Sequence, residues 1–286
     1  MPQEYIASLI GLIATTQIHI AKGLQRFGIE GYSSKTSDSD GAKKKKRRLY
    51  VFSLILNNGA FLWVLIANMF APPAAYTSMF GFGLIVLMFF SERYLGEPVG
   101  KTRHVGALIL AAGTFFLGWA EGTASSNSGG MVMASINVRL VFCIVGAFFV
   151  IALPALAMVK KYRASSGILG TIAGLITGVS GACDPLFKSI AQHYRGTSGL
   201  LPSTGIGWAL FACSIGFGTI AMVLTQVAFA WKAKATVIVP VHNMALILFP
   251  PFLLEITLSD YHLTLFHLPG IILITVGMLF LFVSKR

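Results

Sequence analysis

The chain has 286 residues, 55% of them hydrophobic and only 11% charged, with a mean hydropathy of +0.76 and a formal net charge of +12. A soluble domain of this length has no core large enough to hide so much apolar surface, so the solvent for that surface is lipid. Backbone groups in lipid must bond within their own segment, and apolar runs of about 17 to 25 residues suit helices and exclude barrel strands. The expected fold class is therefore all-α: a polytopic membrane protein of about nine transmembrane helices.

Charges, Gly and Pro clusters, and Trp or Tyr residues delimit the segments. The first, Tyr5–Phe27, lacks a basic leader and a small-residue cleavage site, so it reads as a retained helix. A polar stretch, Ser33–Gly41, reads as a flexible linker and leads into the basic cluster Lys43–Arg48, whose role is to fix topology and touch anionic lipid. Eight further segments follow: Leu49–Phe70, Pro72–Leu95, Arg103–Trp119, Ile136–Val159, Gly167–Gln192, Gly205–Trp231, Ala235–Leu258 and Leu265–Val283. With alternating crossings, every Lys and Arg except Arg139, Lys188 and Arg195 falls on one side. The positive-inside rule makes that side cytosolic, which puts the N-terminus outside and the C-terminus in the cytosol, with the plasma membrane as the expected location. The basic excess is spread over helix ends and has no basic domain to carry it, so nucleic acid is not an expected partner. Cys143, Cys183 and Cys213 lie inside apolar runs at spacings that fit neither a zinc site nor a disulfide framework, and read as packing residues.

Compared with itself at a shift of about 163 residues, the chain repeats. Gly11-Leu12-Ile13 falls on Gly174-Leu175-Ile176, Glu97 on Asp260, and the Gly106 to Gly113 spacing recurs as Gly270 to Gly277 after a one-residue slip. Helices one to four thus pair with six to nine, as units 1–122 and 164–286 joined by a connecting transmembrane helix within 123–163. An even number of spans per unit and an odd connector invert the second copy, the arrangement that lets two units exchange conformations around a midplane site. The four glycines suit close helix approach in a bilayer.

The stretch Phe70-Ala71-Pro72-Pro73-Ala74-Ala75-Tyr76-Thr77-Ser78, continuing through Tyr94-Leu95-Gly96-Glu97-Pro98 to Gly106–Gly113, resembles the drug/metabolite transporter superfamily. Within it, the layout is most similar to the NIPA-type magnesium transporters, with Ala21-Lys22-Gly23-Leu24, Gly174–Cys183 and Ala235–Pro240 extending the similarity over most of the chain. The resemblance implies a secondary transporter or facilitator of a small cation, magnesium first, or an exporter or importer of a small organic solute. Two positions depart from it. Where the NIPA-type second helix carries a Gly-Glu pair and an Asn, this chain has Ala60, Phe61 and Val64, and Ala14 stands where the small multidrug-resistance branch has a carboxylate.

Polar and ionisable residues deep in a bilayer are costly, so they are the candidate substrate-binding residues. Asp184 and Lys188, four apart on one helix, share a face as either a neutralised pair or a ligand site, and Asp184 precedes the helix-kinking Pro185. Asp184 is the expected metal ligand, because magnesium asks for one or two carboxylates and Glu4, Glu97, Glu255 and Asp260 lie near helix ends. The eighth segment carries Pro240, His242 and Asn243 and then Pro250-Pro251, which predicts a kinked or broken helix. By the repeat, Pro240 corresponds to Thr77, so Tyr76, Thr77 and Ser78 form the related wall. Gln17, His19, Asn57, Asn58 and Gln226 supply further donors and acceptors, each of which also fits a plain interhelical hydrogen bond. There is no Walker loop, His-Glu-x-x-His pair or Gly-x-Ser-x-Gly elbow, so neither an enzyme nor a cofactor is expected. A non-transporting membrane scaffold is the remaining alternative.

Overall fold

The computed structural model describes residues 3–32, 39–71, 73–95, 100–127, 136–162, 164–194, 200–231, 233, 235–259 and 261–283. Linker residues 33–38, Glu97, Arg195 and Asp260 fall outside them, so the linker expectation and the Glu97–Asp260 correspondence do too. The described residues form α1 (Gln3–Ile29), α2 (Asp40–Gly59), α3 (Phe61–Ala67), α4 (Pro73–Thr77), α5 (Phe82–Phe90), α6 (Lys101–Asn127), α7 (Val138–Lys161), α8 (Ser166–His193), α9 (Gly205–Ala230), α10 (Ala235–Thr257) and α11 (His267–Val283). No strand forms among them, and the chain is an all-α polytopic membrane protein.

Eight described segments are long and apolar enough to cross a bilayer, with α2 and α3 sharing one crossing and α4 and α5 another. The ninth, α11, has 17 residues, the short end of the spanning range. Each begins and ends close to its expected segment except two: in the second, Ser39 caps a helix that starts at Asp40 and takes in the basic cluster, and in the fourth, α6 runs on past Trp119 to Asn127. Elsewhere the caps are conventional: Asn137 accepts from the Leu140 N–H (3.1 Å) and Ser165 from the Ile168 N–H (3.3 Å). Lys160 and Lys161 close α7, where cations favour the helix C-terminus, and Lys160 sits 3.7 Å from the Trp231 ring beside the end of α9.

Of the two outcomes expected for the eighth segment, a kinked or a broken helix, the break does not occur. α10 runs unbroken through Pro240, Pro250 and Pro251, because a proline removes one donor while packing against α8 holds the helix. The irregular crossing is the third. A 3-10 turn, Ser78–Gly81, separates α4 from α5, and a π-turn, Ser91–Leu95, follows. Carbonyls freed there find donors, as lipid-embedded backbone requires: the Thr15 hydroxyl donates to Phe80 O (3.0 Å), Thr77 to Pro73 O (2.7 Å) and Ser78 to Ala75 O (2.7 Å).

α1 packs on the second and third crossings, and α8 packs likewise on α9 and α10. α6 and α11 meet in a seam of glycines. A Cβ on Gly106 would stand 2.9 Å from Gly277 O, and one on Gly113 would stand 2.9 Å from Gly270 O. Residue numbers rise along one helix as they fall along the other, so the two run in opposite senses. α7 docks on α8 and α9 through aromatic rings, with Phe142 on Phe187 (5.0 Å) and Phe149 on Phe217 (5.9 Å). Of the cysteines, all unpaired, Cys183 is buried, Cys213 half-buried and Cys143 exposed on the apolar α7.

Candidate functional site

Where α1 meets α10, the polar residues of the two halves touch. His19 is buried against the backbone of α5: a Cβ on Gly83 would fall 1.9 Å from its Nδ1, so only glycine leaves room for the ring. Nδ1 donates to Thr15 O (2.8 Å), which leaves Nε2 to accept from the Asn243 amide (3.4 Å). That contact joins residues 224 positions apart and crosses from the first half to the second. One residue before Asn243, His242 reaches back to α8, its Nδ1 lying 3.1 Å from the Thr177 hydroxyl. Thr177 donates to Gly174 O (3.1 Å), so it accepts from His242 and leaves the His242 Nε2 as the free ring nitrogen. Close approach is again secured by small residues, since a Cβ on Gly178 would meet His242 O at 2.5 Å.

From Thr177 the polar face of α8 continues through Ser180, Asp184, Lys188 and Gln192, spacings of three and four residues that keep one side of the helix. Ser180 is fully buried, and its hydroxyl has no hydrogen-bond partner among the described residues. Asp184 and Lys188 form the expected ion pair, with the ammonium side 3% and the carboxylate side 22% exposed. Ser214 and Gly218 of α9 flank Asp184. At the far end, Gln192 donates to Leu65 O and Leu200 O, both at 3.0 Å, and ties α8 to α3. Tyr76, buried in the wall of the third crossing, donates to Asn68 Oδ1 (2.7 Å). The Asn68 Nδ2 and Gln192 Oε1 atoms at this end are buried without hydrogen-bond partners among the described residues.

The remaining candidates lie elsewhere. Gln17 faces the second crossing, accepting from the Trp63 indole and donating to Leu56 O (both 2.8 Å), on a shallow groove of about 480 Å³ that it shares with Leu12, Ile13 and Ile20. Asn58 is exposed and donates to Leu54 O one turn back (2.8 Å). Asn57 marks the break between α2 and α3, its carbonyl accepting from the Ala60 N–H (3.3 Å). Gln226 is half-buried on α9, with no hydrogen bond among the described residues.

One buried carboxylate has no place among the sequence-derived candidates. Glu121, nearly two turns before the end of α6, is 1% exposed; Tyr261 donates to it, and the His267 Nε2 stands 3.6 Å away. The Thr264 N–H donates to the His267 Nδ1 (3.0 Å), which turns the protonated ring nitrogen of a neutral imidazole toward Glu121. Burial and the Glu121 charge hold the Tyr261 hydroxyl well above its ordinary pKa, so it stays protonated and donating. A second feature at this end is a cleft of about 390 Å³ lined by Asn137, Glu255 and His262. Among the described residues, no group of three His, Cys, Asp or Glu side chains converges as a metal site would need.

No family model matches the chain, and neither the curated proteins nor the solved structures compared with it give a match.

Proposed function

We propose that the chain is a secondary transporter that moves a small polar solute by alternating access, with two inverted four-helix units rocking about the junction of α1, α8 and α10. The observation that carries this reading is the buried polar contact between halves, His19 to Asn243, at the head of a polar face that runs along α8 to Gln192. Buried polar groups in a bilayer are retained where they line a pathway or a partner. The α6–α11 seam supports the inverted sense: exchanging Gly106 with Gly270 and Gly113 with Gly277 turns one seam contact into the other, as an in-plane twofold axis requires. The likeness to the drug/metabolite transporter superfamily points the same way.

Magnesium was the first expectation for the solute. Asp184 is its one ligand on the polar face, and Lys188 already neutralises that carboxylate. The donors and acceptors around His242 and Ser180 favour the organic-solute alternative. The test is Asn243→Cys in sealed vesicles of each orientation. The cysteine is expected to react with an uncharged, membrane-impermeant maleimide from both sides. Reaction from one side only would end alternating access, and none would favour a scaffold. Saturable magnesium uptake by the same vesicles would return the cation reading to first place.

A further inference from the structure

The basic cluster of α2 and the groove beside Gln17 lie on one stripe of the helix. Part of the cluster's charge is engaged by the protein itself. The Lys46 ammonium stands 5.1 Å from the centre of the Phe27 ring, and Arg47 donates from Nε to Gly31 O (2.8 Å) and lies over the Tyr32 ring. Lys45 and Arg48 are exposed, and among the described residues neither side chain has a hydrogen bond or an ion pair. Arg48, Phe52 and Leu56 follow Lys45 by three, seven and eleven residues, so at about 100° per residue the four share one face. Asp40, the acidic residue of the first turn, points away from that face. Phe52 is 53% exposed, and Leu56 forms one wall of the groove of about 480 Å³ whose other wall is α1, from Leu12 to Ile20. Eleven residues of helix rise about 16 Å, close to the half-thickness of about 15 Å of a bilayer's hydrocarbon core. Two cations at the membrane surface thus stand directly above an apolar furrow at acyl-chain depth.

We propose that this stripe is a binding site for one anionic phospholipid, its phosphate held between Lys45 and Arg48 and one acyl chain laid over Phe52 into the groove between α1 and α2. The site is separate from the polar junction of α1, α8 and α10 and does not depend on transport. A neutral lipid would fill the groove and leave both cations without a partner. A small soluble anion would meet the cations and leave the groove and Phe52 unused. An anionic phospholipid uses both, since the Arg48 guanidinium offers a fork of donors to phosphate oxygens and the Lys45 ammonium a point charge beside it. The positive-inside rule predicts this end of α2 to face the cytosol, where the leaflet carries anionic lipid.

Trp63 reads the groove, because its indole donates to Gln17, one of the lining residues (2.8 Å). Trp119→Phe, Trp208→Phe and Trp231→Phe leave it as the one tryptophan of four, and the full chain is reconstituted in phosphatidylcholine liposomes. Phosphatidylglycerol or phosphatidylcholine brominated at mid-chain is then titrated in, and quenching of Trp63 measures occupancy of the groove. The anionic lipid is expected to quench saturably at about thirtyfold lower mole fraction than the neutral one, the effect of two cations at a membrane surface. Lys45→Gln with Arg48→Gln should bring the two lipids level. Lys101→Gln with Lys161→Gln, which removes as much charge at the starts and ends of other helices, should leave the preference intact. Thr16→Phe fills the groove from a position whose hydroxyl bonds only back to Leu12 O (2.8 Å), and should weaken quenching by both lipids. Equal quenching by the two lipids, an equal response of the two double variants, indifference to Thr16→Phe, or relief of quenching by soluble glycerol phosphate overturns the site. Should the triple tryptophan replacement fold poorly, native mass spectrometry of the unaltered chain decides. One retained phosphatidylglycerol that Lys45→Gln with Arg48→Gln abolishes supports the site, and no retained lipid, or retention unchanged in that variant, overturns it.

Discussion

Tyr261 holds its proton for two reasons that act together, burial at 1% exposure and the Glu121 carboxylate that its hydroxyl meets. Removing that hydroxyl leaves a buried carboxylate short of a donor, which costs about 1–3 kcal/mol. Tyr261→Phe should therefore lower the unfolding free energy of detergent-solubilised protein by that amount at pH 7. The pH profile gives a second, independent readout. The tyrosine of the unfolded chain ionises near its ordinary value of 10.0, while the folded one does so only well above it. Above that pH the folded state binds more protons than the unfolded state, so stability falls as pH rises, at up to about 1.4 kcal/mol per pH unit. Tyr261→Phe loses that increment of slope, so native and variant unfolding curves should converge between pH 10 and 11; parallel curves would refute the pairing. Nothing local in the sequence announces this site. Trp119-Ala120-Glu121-Gly122 reads as an ordinary span end, and the burial comes from Tyr261 and His267, more than a hundred residues away. Asp184 and Lys188 were legible for the opposite reason, since their contact is set by helix geometry alone.

At the level of helices, the α6–α11 seam makes a sharp contrast with glycines that touch nothing. A Cβ on Gly113 would stand 2.7 Å from Ile274 N, and one on Gly277 would stand 2.6 Å from Leu110 N; backbone cannot yield as a flexible side chain can. Gly113→Ala or Gly277→Ala must push two helices apart, and overpacking of this kind costs about 1–3 kcal/mol. Gly146, on α7, has nothing within 4 Å of its would-be Cβ, so Gly146→Ala should be neutral or gain about 0.5–1 kcal/mol from helix propensity. Thermal melts of the three variants in one detergent check both signs, and a Gly113→Ala protein as stable as Gly146→Ala would remove the seam. The crossings themselves were legible because lipid sets their length and composition. Which crossing is irregular was not. The prolines of α10 drew attention, yet the 3-10 turn at Ser78–Gly81 lies in the third crossing, sustained by a hydroxyl from α1 that only tertiary structure supplies. Of the nine candidate residues, His19 and Asn243 touch at the junction, His242 turns to Thr177 of α8, Asp184 lies on the polar face of α8 and Tyr76 in the wall of the third crossing. Gln17 and Asn58 satisfy their amides against nearby backbone and a tryptophan, a choice that local sequence does not encode.

For the molecule as a whole, the seam and the crossings make a joint demand on topology. With α11 as the ninth crossing, the two ends of the described chain fall on opposite sides of the membrane, and α6 and α11, the fourth and ninth, run in opposite senses, in agreement with their glycine contacts. Were α11 an interfacial helix, both ends would share a compartment, and the seam would have to join a spanning helix to one lying flat, which seven-residue glycine spacing on both partners does not allow. The positive-inside rule predicts that the basic cluster that opens α2 and the lysines that close α7 lie on the cytosolic face. A fluorescent reporter fused after Arg286 should light up in the cytosol, and an epitope placed before Gln3 should be reached by antibody on intact cells. Both tags in one compartment would break the inverted relation between halves. A cytosolic N-terminal tag with an external C-terminal one would keep that relation and reverse the membrane orientation, placing the Glu121–Tyr261–His267 end of the bundle in the cytosol.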